Sequence, residues 1–246
     1  MNAFQRLRDR LRLRLRGRAV VISYPKSGRT QLRVMLHAAG EDAPFSHAGS
    51  SEEQGRTVEG LGEGLRYWRR SRVLLMVRDP RDTLVSAWYQ ARHRSKVYEG
   101  GLSDFMRDAR HGIAKIAAFN LMWLEARTRF PAFALVEYEE VQRDPAGAFR
   151  RVHLFLTGRE ASDQAIAAAV EAGRFDRMRA MEESGEGAAL FGARLRPGEA
   201  GSPESFKTRR GIVGGWRDEL AAEDAAFADE LLAQCRYWER LEDARR

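Results

Sequence analysis

The chain has 246 residues, 43% of them hydrophobic, which is enough to bury one substantial core. Its single cysteine, Cys235, excludes an internal disulfide framework and a cysteine-based zinc site. The net charge of +7 is concentrated at one end, because arginine occupies every even position from Arg6 to Arg18 and only Asp9 opposes it. No apolar run approaches the roughly 20 residues that span a bilayer, and residues 1–18 lack the apolar centre of a signal peptide, so we expect a cytoplasmic location.

Residues 1–18 are predicted to be an arginine-rich extension, followed by a single domain over residues 19–246. Leu7, Leu11 and Leu15 recur at helical spacing, so an amphipathic basic helix here would make a weak contact with anionic lipid or nucleic acid. A solvated extension accounts for the same pattern. The role of the extension and the oligomeric state are left open.

Three apolar runs predict strands that are buried on both faces of a parallel sheet: residues 19–23, 72–77 and 134–137. Helical patterns lie between or after them, over residues 30–39, 81–92, 113–128, from Pro145 onward and over 221–241. The last helix is expected to bury Phe227, Leu231, Cys235 and Trp238. Alternating strands and helices predict a three-layer α/β fold, a parallel sheet with helices on both faces. Residues 184–206, rich in glycine and proline, are predicted to form a mobile loop.

The first chemical motif is Tyr-Pro-Lys-Ser-Gly-Arg-Thr at residues 24–30, directly after the first predicted strand. A strand that turns through glycine into a helix forms an anion cradle, since backbone N–H groups and the helix N-terminus face a phosphate. Gly28 permits the tight turn and Lys26 adds a positive charge. The spacing differs from the nucleoside-triphosphate loop, because Lys26 precedes the glycine instead of following it. The motif therefore predicts an anion site of another kind.

The second motif is Arg-Asp-Pro-Arg-Asp at residues 78–82, followed by Ser86. A guanidinium at a strand end and a hydroxyl one or two helical turns later can converge on one phosphate. Asp79 and Pro80 also form a helix start, with Asp79 as N-cap, and Asp82 is expected to cap or orient. Both motifs follow strands, where ligands of open α/β sheets bind.

These two segments resemble motifs of the sulfotransferases that use 3′-phosphoadenosine 5′-phosphosulfate (PAPS). Their 5′-phosphosulfate loop reads close to Tyr-Pro-Lys-Ser-Gly-Thr-Thr-Trp, and their 3′-phosphate motif close to Arg-Asp-Pro-Arg-Asp followed by Ser. A third segment, residues 207–217, is similar to the family's Arg-Lys-Gly-x-x-Gly-Asp-Trp loop. The resemblance covers roughly residues 19–240. It implies a P-loop-like sulfotransferase fold and in-line transfer of a sulfuryl group to an acceptor hydroxyl or amine, leaving adenosine 3′,5′-bisphosphate (PAP).

The resemblance also implies which residues bind PAPS: Lys26, Ser27, Gly28, Arg29, Thr30, Gln31, Arg78, Ser86, Tyr138, Phe175, Arg209, Arg210 and Gly211. Lys26 would also be catalytic by stabilising charge on the leaving 5′-phosphate, and no metal is expected. Tyr138 and Phe175 occupy positions that the family places near adenine. Arg29 and Gln31 depart from the family, which has threonine and a stacking tryptophan there.

The catalytic base is expected between the first helix and the strand at residues 72–77, where the family places a histidine or, in some branches, a glutamate. His47 falls in this interval, and Glu52 and Glu53 remain alternatives. The family's lysine two residues before its histidine is absent, since Phe45 stands there. A second cation for the sulfonate must therefore come from elsewhere or from Arg29.

Two other functions remain open. A P-loop small-molecule kinase would use the strand end at Asp79 for magnesium, although the Gly-Lys-[Ser/Thr] sequence is missing. A basic nucleic-acid or membrane-surface binding protein would act through its arginine-rich extension, although we expect no specific nucleic acid. No motif indicates the acceptor.

Overall fold

The computed structural model describes residues 18–47, 63–199 and 202–245. Its four strands, all parallel, form one sheet in the order β2-β1-β3-β4. The strands are β1 (Ala19–Ser23), β2 (Phe45–Ser46), β3 (Arg72–Val77) and β4 (Ala132–Glu137). The three predicted strands are confirmed, and β4 begins two residues earlier than predicted because its first residues also pair with β3.

Helices lie between and after the strands. Those preceding β4 are α1 (Arg29–Ala38), α2 (Glu63–Trp68), α3 (Pro80–Tyr89), α4 (Leu102–Arg107) and α5 (Ile113–Glu125). Those following it are α6 (Tyr138–Arg143), α7 (Pro145–Thr157), α8 (Asp163–Ala172), α9 (Phe175–Ser184), α10 (Glu186–Phe191), α11 (Ala222–Gln234) and α12 (Tyr237–Arg245). The chain leaves α3 through one π-helical turn, Gln90–Arg94.

Each face of the sheet is covered by its own set of helices. Val20 and Ile22 pack with buried residues of α3, α5, α11 and α12, while Val21 and Leu74 pack with those of α1, α7 and α8. All residues of β1 and β3 are buried, as expected for strands covered on both sides. The predicted α/β fold with a parallel sheet flanked by helices is confirmed.

The predicted helix over residues 221–241 is wrong as a single element. The helix α11 ends at Gln234, and α12 begins at Tyr237. Arg236, between them, adopts a left-handed φ of 52° and interrupts the helix. The predicted apolar stripe is also wrong: Ala228 and Leu232 are buried, whereas Trp238 is 42% exposed. Phe227, Leu231 and Cys235 pack only partly against this core.

The predicted loop over residues 184–206 is wrong in its first half, which contains α10 and the 3₁₀ turn Gly192–Leu195. These turns form because Phe191 and Leu195 pack against Met178 and Met181 of α9 in a small third core. The mobility of this segment stays a prediction, as does the single-domain organisation.

None of the helices in the described ranges is both long enough and apolar enough to cross a membrane. The arginine-rich residues 1–17 lie outside those ranges.

Candidate active site

The Lys26 loop links the end of β1 to the start of α1. Lys26 and Gly28 both adopt left-handed backbone conformations, with φ of 72° and 93°. A Cβ on Gly28 would lie 2.5 Å from Tyr138 Cδ2 and 2.7 Å from Met76 Cε, so only glycine fits here. The first turn of α1 contains no acidic residue. The loop and the positive end of α1 therefore form a site suited to an anion.

This loop opens onto a cleft at the carboxyl ends of β1 and β3. The cleft brings together nearly all of the residues that the sequence singled out: Lys26, Gly28, Arg29, Thr30, Gln31, His47, Arg78, Ser86, Tyr138, Phe175, Arg209, Arg210 and Gly211. Ser27 does not line it. Its side chain is fully buried beneath the loop, and its Oγ has no hydrogen-bond partner among the described residues.

Arg78 is held at the end of β3 by several contacts. Its Nη2 donates to the Ile212 carbonyl at 3.1 Å and lies 3.5 Å from Asp82 Oδ2. Its guanidinium stacks on the Tyr138 ring, 4.4 Å from the centroid. Tyr138 thus connects Arg78 to the Gly28 turn. Arg78 Nε is buried without a partner in the described part of the chain, which leaves a charged donor in the cleft wall for an anion.

A basic loop over residues 207–217, the closing loop, lies against Arg78, and the Asp82 carboxylate holds it there. Asp82 accepts from the backbone N–H groups of Gly214 at 2.8 Å and Trp216 at 3.0 Å.

Asp79 accepts from the Arg81 N–H as the N-cap of α3, which confirms the predicted helix start.

The two arginines of this loop share one carboxylate. Glu219 accepts from Arg209 at 2.7 Å and Arg210 at 3.1 Å, and Asp218 also pairs with Arg210. The guanidinium of Arg209 lies 3.8 Å above the ring of Tyr89, which in turn donates its hydroxyl to Glu219. Two guanidinium groups are therefore oriented at the cleft beside Arg78.

A flat aromatic surface and an amide lie near this loop. Phe175 is 39% exposed in the cleft, and a Cβ on Gly211 would overlap its ring. Gln31 donates to the Gly173 carbonyl at 2.8 Å and accepts from Gln142 Nε2 at 2.7 Å. Its amide is thus fixed by hydrogen bonds, and Phe175 presents an exposed ring to the cleft.

His47 follows β2 and faces the cleft with a defined tautomer. Its Nδ1 lies 2.8 Å from the Ser23 carbonyl, which can only accept, so Nδ1 carries the proton and Nε2 the lone pair. Burial and the charges of Arg29, Lys207 and Arg33 lower the pKa of His47 to about 3, against the raising effect of the Ser23 hydrogen bond. The imidazole is therefore neutral near pH 7. Glu52 and Glu53 lie outside the described residues.

The cleft contains a cation that the sequence reasoning did not assign. Lys207 lines the cleft, and its Nζ lies 3.5 Å from Gln90 Oε1, the same distance as Lys26 Nζ. The signal was present, since Lys207 opens the third motif. Arg29 stays charged near pH 7, although burial and then the charges of Arg33 and Arg194 lower its pKa to about 10.

A parallel α/β sheet whose strand ends carry a lysine–glycine loop, a half-buried arginine and a basic loop defines a P-loop-like protein, and such a cationic cleft suits an anion. Residues 66–243 match the model of the sulfotransferase domain family. The chain therefore belongs to the sulfotransferase domain family. The match begins after the Lys26 loop, so the resemblance of that loop rests on its own residues.

Relatives and solved structures agree with this family. Human sulfotransferase 2B1 is 27% identical over 163 residues, covering 64% of this chain and 42% of the relative. The mouse protein of the same name is 26% identical over 187 residues, covering 71% and 52%. The chain thus spans about half the length of these curated relatives.

The fold is similar to that of mouse sulfotransferase SULT7A1 complexed with PAP, with a TM-score of 0.66, 17% identity and coverage of 88% and 83% of the two chains. Retinol dehydratase in complex with androsterone and the inactive cofactor PAP gives a TM-score of 0.62, 16% identity and coverage of 93% and 84%. These two likenesses support the fold.

Proposed function

We propose that this protein is a sulfotransferase that moves the sulfuryl group of PAPS to an acceptor hydroxyl or amine. The observation that carries the proposal is a single cleft lined by two sets of cationic groups. Lys26 and the start of α1 form one set, and Arg78, Arg209 and Arg210 form the other. A nucleotide with separate 5′ and 3′ anionic groups needs both sets, whereas ATP needs only one. Family membership and the PAP in the similar solved structures support the same donor.

The residues present fit such a donor. The Gly28 turn has no room for a Cβ, and a phosphate can approach the backbone there. Arg78 Nε is a buried donor without a partner among the described residues, and a 3′-phosphate oxygen would supply the acceptor that it lacks. Phe175 offers an exposed ring for adenine. When bound, PAPS supplies a sulfuryl group activated by its bond to a phosphate.

Neutral His47 is proposed as the base. Its Nε2 takes the proton of the acceptor hydroxyl as the acceptor oxygen forms a bond to sulfur. The bond between sulfur and the 5′-phosphate oxygen breaks in line, and its electron pair stays on the phosphate. Lys26 and the N-terminus of α1 stabilise the charge that grows on that oxygen. No metal is required in this scheme.

The proposal is tested by calorimetric titration with PAP and with ATP, each with EDTA and with magnesium. PAP should bind equally well without magnesium, and ATP at the same concentration should not compete. Lys26→Ala should weaken PAP binding at least tenfold, because it removes a charge-assisted contact to phosphate. Lys96→Ala, which removes an exposed ion pair with Glu199, is the matched control and should leave binding unchanged.

Magnesium-dependent binding of ATP without binding of PAP would instead establish the kinase alternative. The acceptor class, the cytoplasmic location and any lipid or nucleic-acid contact of the arginine-rich extension stay predictions.

A further inference from the structure

We propose that Arg29, Arg33 and Arg194, the arginine cluster, bind a negatively charged group of the acceptor. The acceptor is then an alcohol or amine that also carries a carboxylate, a sulfate or a phosphate. The inference rests on the proposed sulfotransferase function and deepens it, because it names the class of acceptor that no sequence motif indicates.

Two members of the cluster lie on one face of α1, next to the proposed base. Arg29 and Arg33 are four residues apart, and residues at this spacing are neighbours on the surface of a helix. Arg29 lines the same cleft as His47. The Arg33 guanidinium lies 4.2 Å from the centroid of the Phe45 ring, which belongs to β2, the strand that precedes His47. The face of α1 that carries both arginines is therefore the face toward β2 and His47.

Folding brings the third arginine to the same helix. Arg194 lies in the 3₁₀ turn that follows α10. Phe191 and Leu195, on either side of it, are buried in one small core with Val34 of α1. Burial is the main cause of the lowered pKa of Arg33, and the charge of Arg194 is the next. The packing and the electrostatics thus place the three guanidinium groups in one region.

The cluster has no counter-ion in the part of the chain that the structure describes. None of its three members forms a hydrogen bond or an ion pair with another described residue, and Asp42 acts on Arg33 only through its charge. Arginines elsewhere on the surface are paired, as Arg151 is with Glu140. An anion among the three guanidinium groups would offset their mutual repulsion and accept several charge-assisted hydrogen bonds.

The anion at this cluster would belong to the acceptor and not to the donor. Neither Arg33 nor Arg194 is among the residues that line the cleft proposed for PAPS. The charges of Arg29 and Arg33 nevertheless act on His47, so the cluster lies beside the base that takes the acceptor's proton. An apolar acceptor would remove water from these guanidinium groups without replacing its hydrogen bonds, which is unfavourable. An anionic acceptor would replace them.

The test measures, by calorimetry, the binding of probe acceptors to the full chain saturated with PAP. Glucuronate, glucose 6-sulfate and glucose 6-phosphate are each compared with glucose, and 4-hydroxybenzoate is compared with 4-hydroxybenzamide. At least one charged probe should bind about tenfold or more tightly than its neutral counterpart, since hydrogen bonds between charged groups carry that much free energy. The probe with the largest preference identifies the anion. Equal affinities within every comparison would overturn the inference.

Arg33→Met and Arg194→Met remove the charges and keep long side chains, and Arg194 is exposed, so its replacement leaves the core intact. Each variant should lower the preference for the charged probe about threefold or more, and the double variant should abolish it, while the Kd for PAP changes less than threefold. Arg33→Lys should retain part of the preference. The control Arg70→Met removes an exposed arginine just before β3, at the opposite end of the sheet, and should change neither affinity.

A double variant that kept the full preference for charged probes would overturn the assignment to Arg33 and Arg194. Failure of the unmodified protein to bind PAP would instead overturn the proposed function.

Discussion

His47 combines a fixed tautomer with an environment that keeps its imidazole neutral. The Ser23 carbonyl fixes the proton on Nδ1, and burial together with the nearby cations opposes a second proton on Nε2. A neutral imidazole in a cationic cleft is ready to accept a proton once an anionic donor is bound. The donor's negative charge would then raise the pKa of His47 toward the value that a general base needs.

Replacement of His47 by alanine tests this role. His47→Ala should lower kcat by a factor of about 10² or more, the usual contribution of a general base, while the Kd for PAP changes less than threefold. His37→Ala is the control, because His37 lies exposed on α1. Turnover in His47→Ala within a fewfold of the unmodified enzyme would assign the base to another residue, Glu52 or Glu53 first.

The protonation state of His47 can be followed directly by ¹⁵N NMR of the imidazole. Its pKa lies below the ordinary value, so the neutral form is lost only when the pH falls well below 5. Between pH 5 and 8, His47 in the ligand-free protein should show a protonated Nδ1 and an unprotonated Nε2 without titration. The His47→Ala spectrum assigns the signals. A titration midpoint near 6.5 would contradict the electrostatic argument.

At the scale of elements, the site depends on two turns that cannot change shape freely. The Lys26 loop requires glycine at position 28, and the closing loop is tied to α3 through Asp82. Both features connect segments that lie far apart in the sequence. Substitutions at either turn should therefore affect stability and ligand binding together.

Gly28→Ala should lower the free energy of unfolding by more than about 2 kcal/mol, because left-handed strain is added to overlap with Tyr138 and Met76. It should also abolish PAP binding. Gly185→Ala is the matched control: its φ of 82° is equally left-handed, but no atom lies within 4 Å of the new Cβ. Chemical denaturation of both variants measures the difference. Equal destabilisation of Gly28→Ala and Gly185→Ala would show that the overlap with Tyr138 and Met76 adds nothing to the cost of backbone strain.

Asp82→Asn should weaken the closing loop, because the amide keeps one acceptor oxygen and its nitrogen cannot accept, so one of the Gly214 and Trp216 N–H groups loses its partner. We expect unfolding to be easier by about 1–3 kcal/mol and PAP to bind at least tenfold more weakly. Asp229→Asn removes an exposed partner of Arg81 and should cost less than about 1 kcal/mol. If Asp82→Asn bound PAP as tightly as the unmodified protein does, the closing loop would not be part of the binding site.

Much of this architecture could be predicted because its signals are local. The runs in β1 and β3, the Lys26 loop and the Asp79 cap each depend on neighbouring residues. The helix break at Arg236 was missed because a left-handed arginine has no sequence signature. Lys207 was passed over although it opens the third motif, because its position beside Gln90 and Glu182 in the cleft depends on residues that are distant in sequence.

At the scale of the whole molecule, the hydrophobic cores and the candidate site lie on different parts of the sheet. Helices cover both faces and form the two large cores, while the loops at the carboxyl ends of β1 and β3 converge on one cleft. The cleft residues come from segments between residues 25 and 216, so the site depends on the packing of segments that are distant in sequence.

The central claim is tested most directly by incubating the full chain with ³⁵S-labelled PAPS, EDTA and a panel of phenols, steroid alcohols, sugars and amines. We predict that label appears on at least one acceptor, with one PAP released for each transfer, and that His47→Ala and Lys26→Ala reduce the rate by about 10² or more. Absence of both labelled product and PAP, with ATP and magnesium giving phosphorylated products from the same panel, would contradict the account.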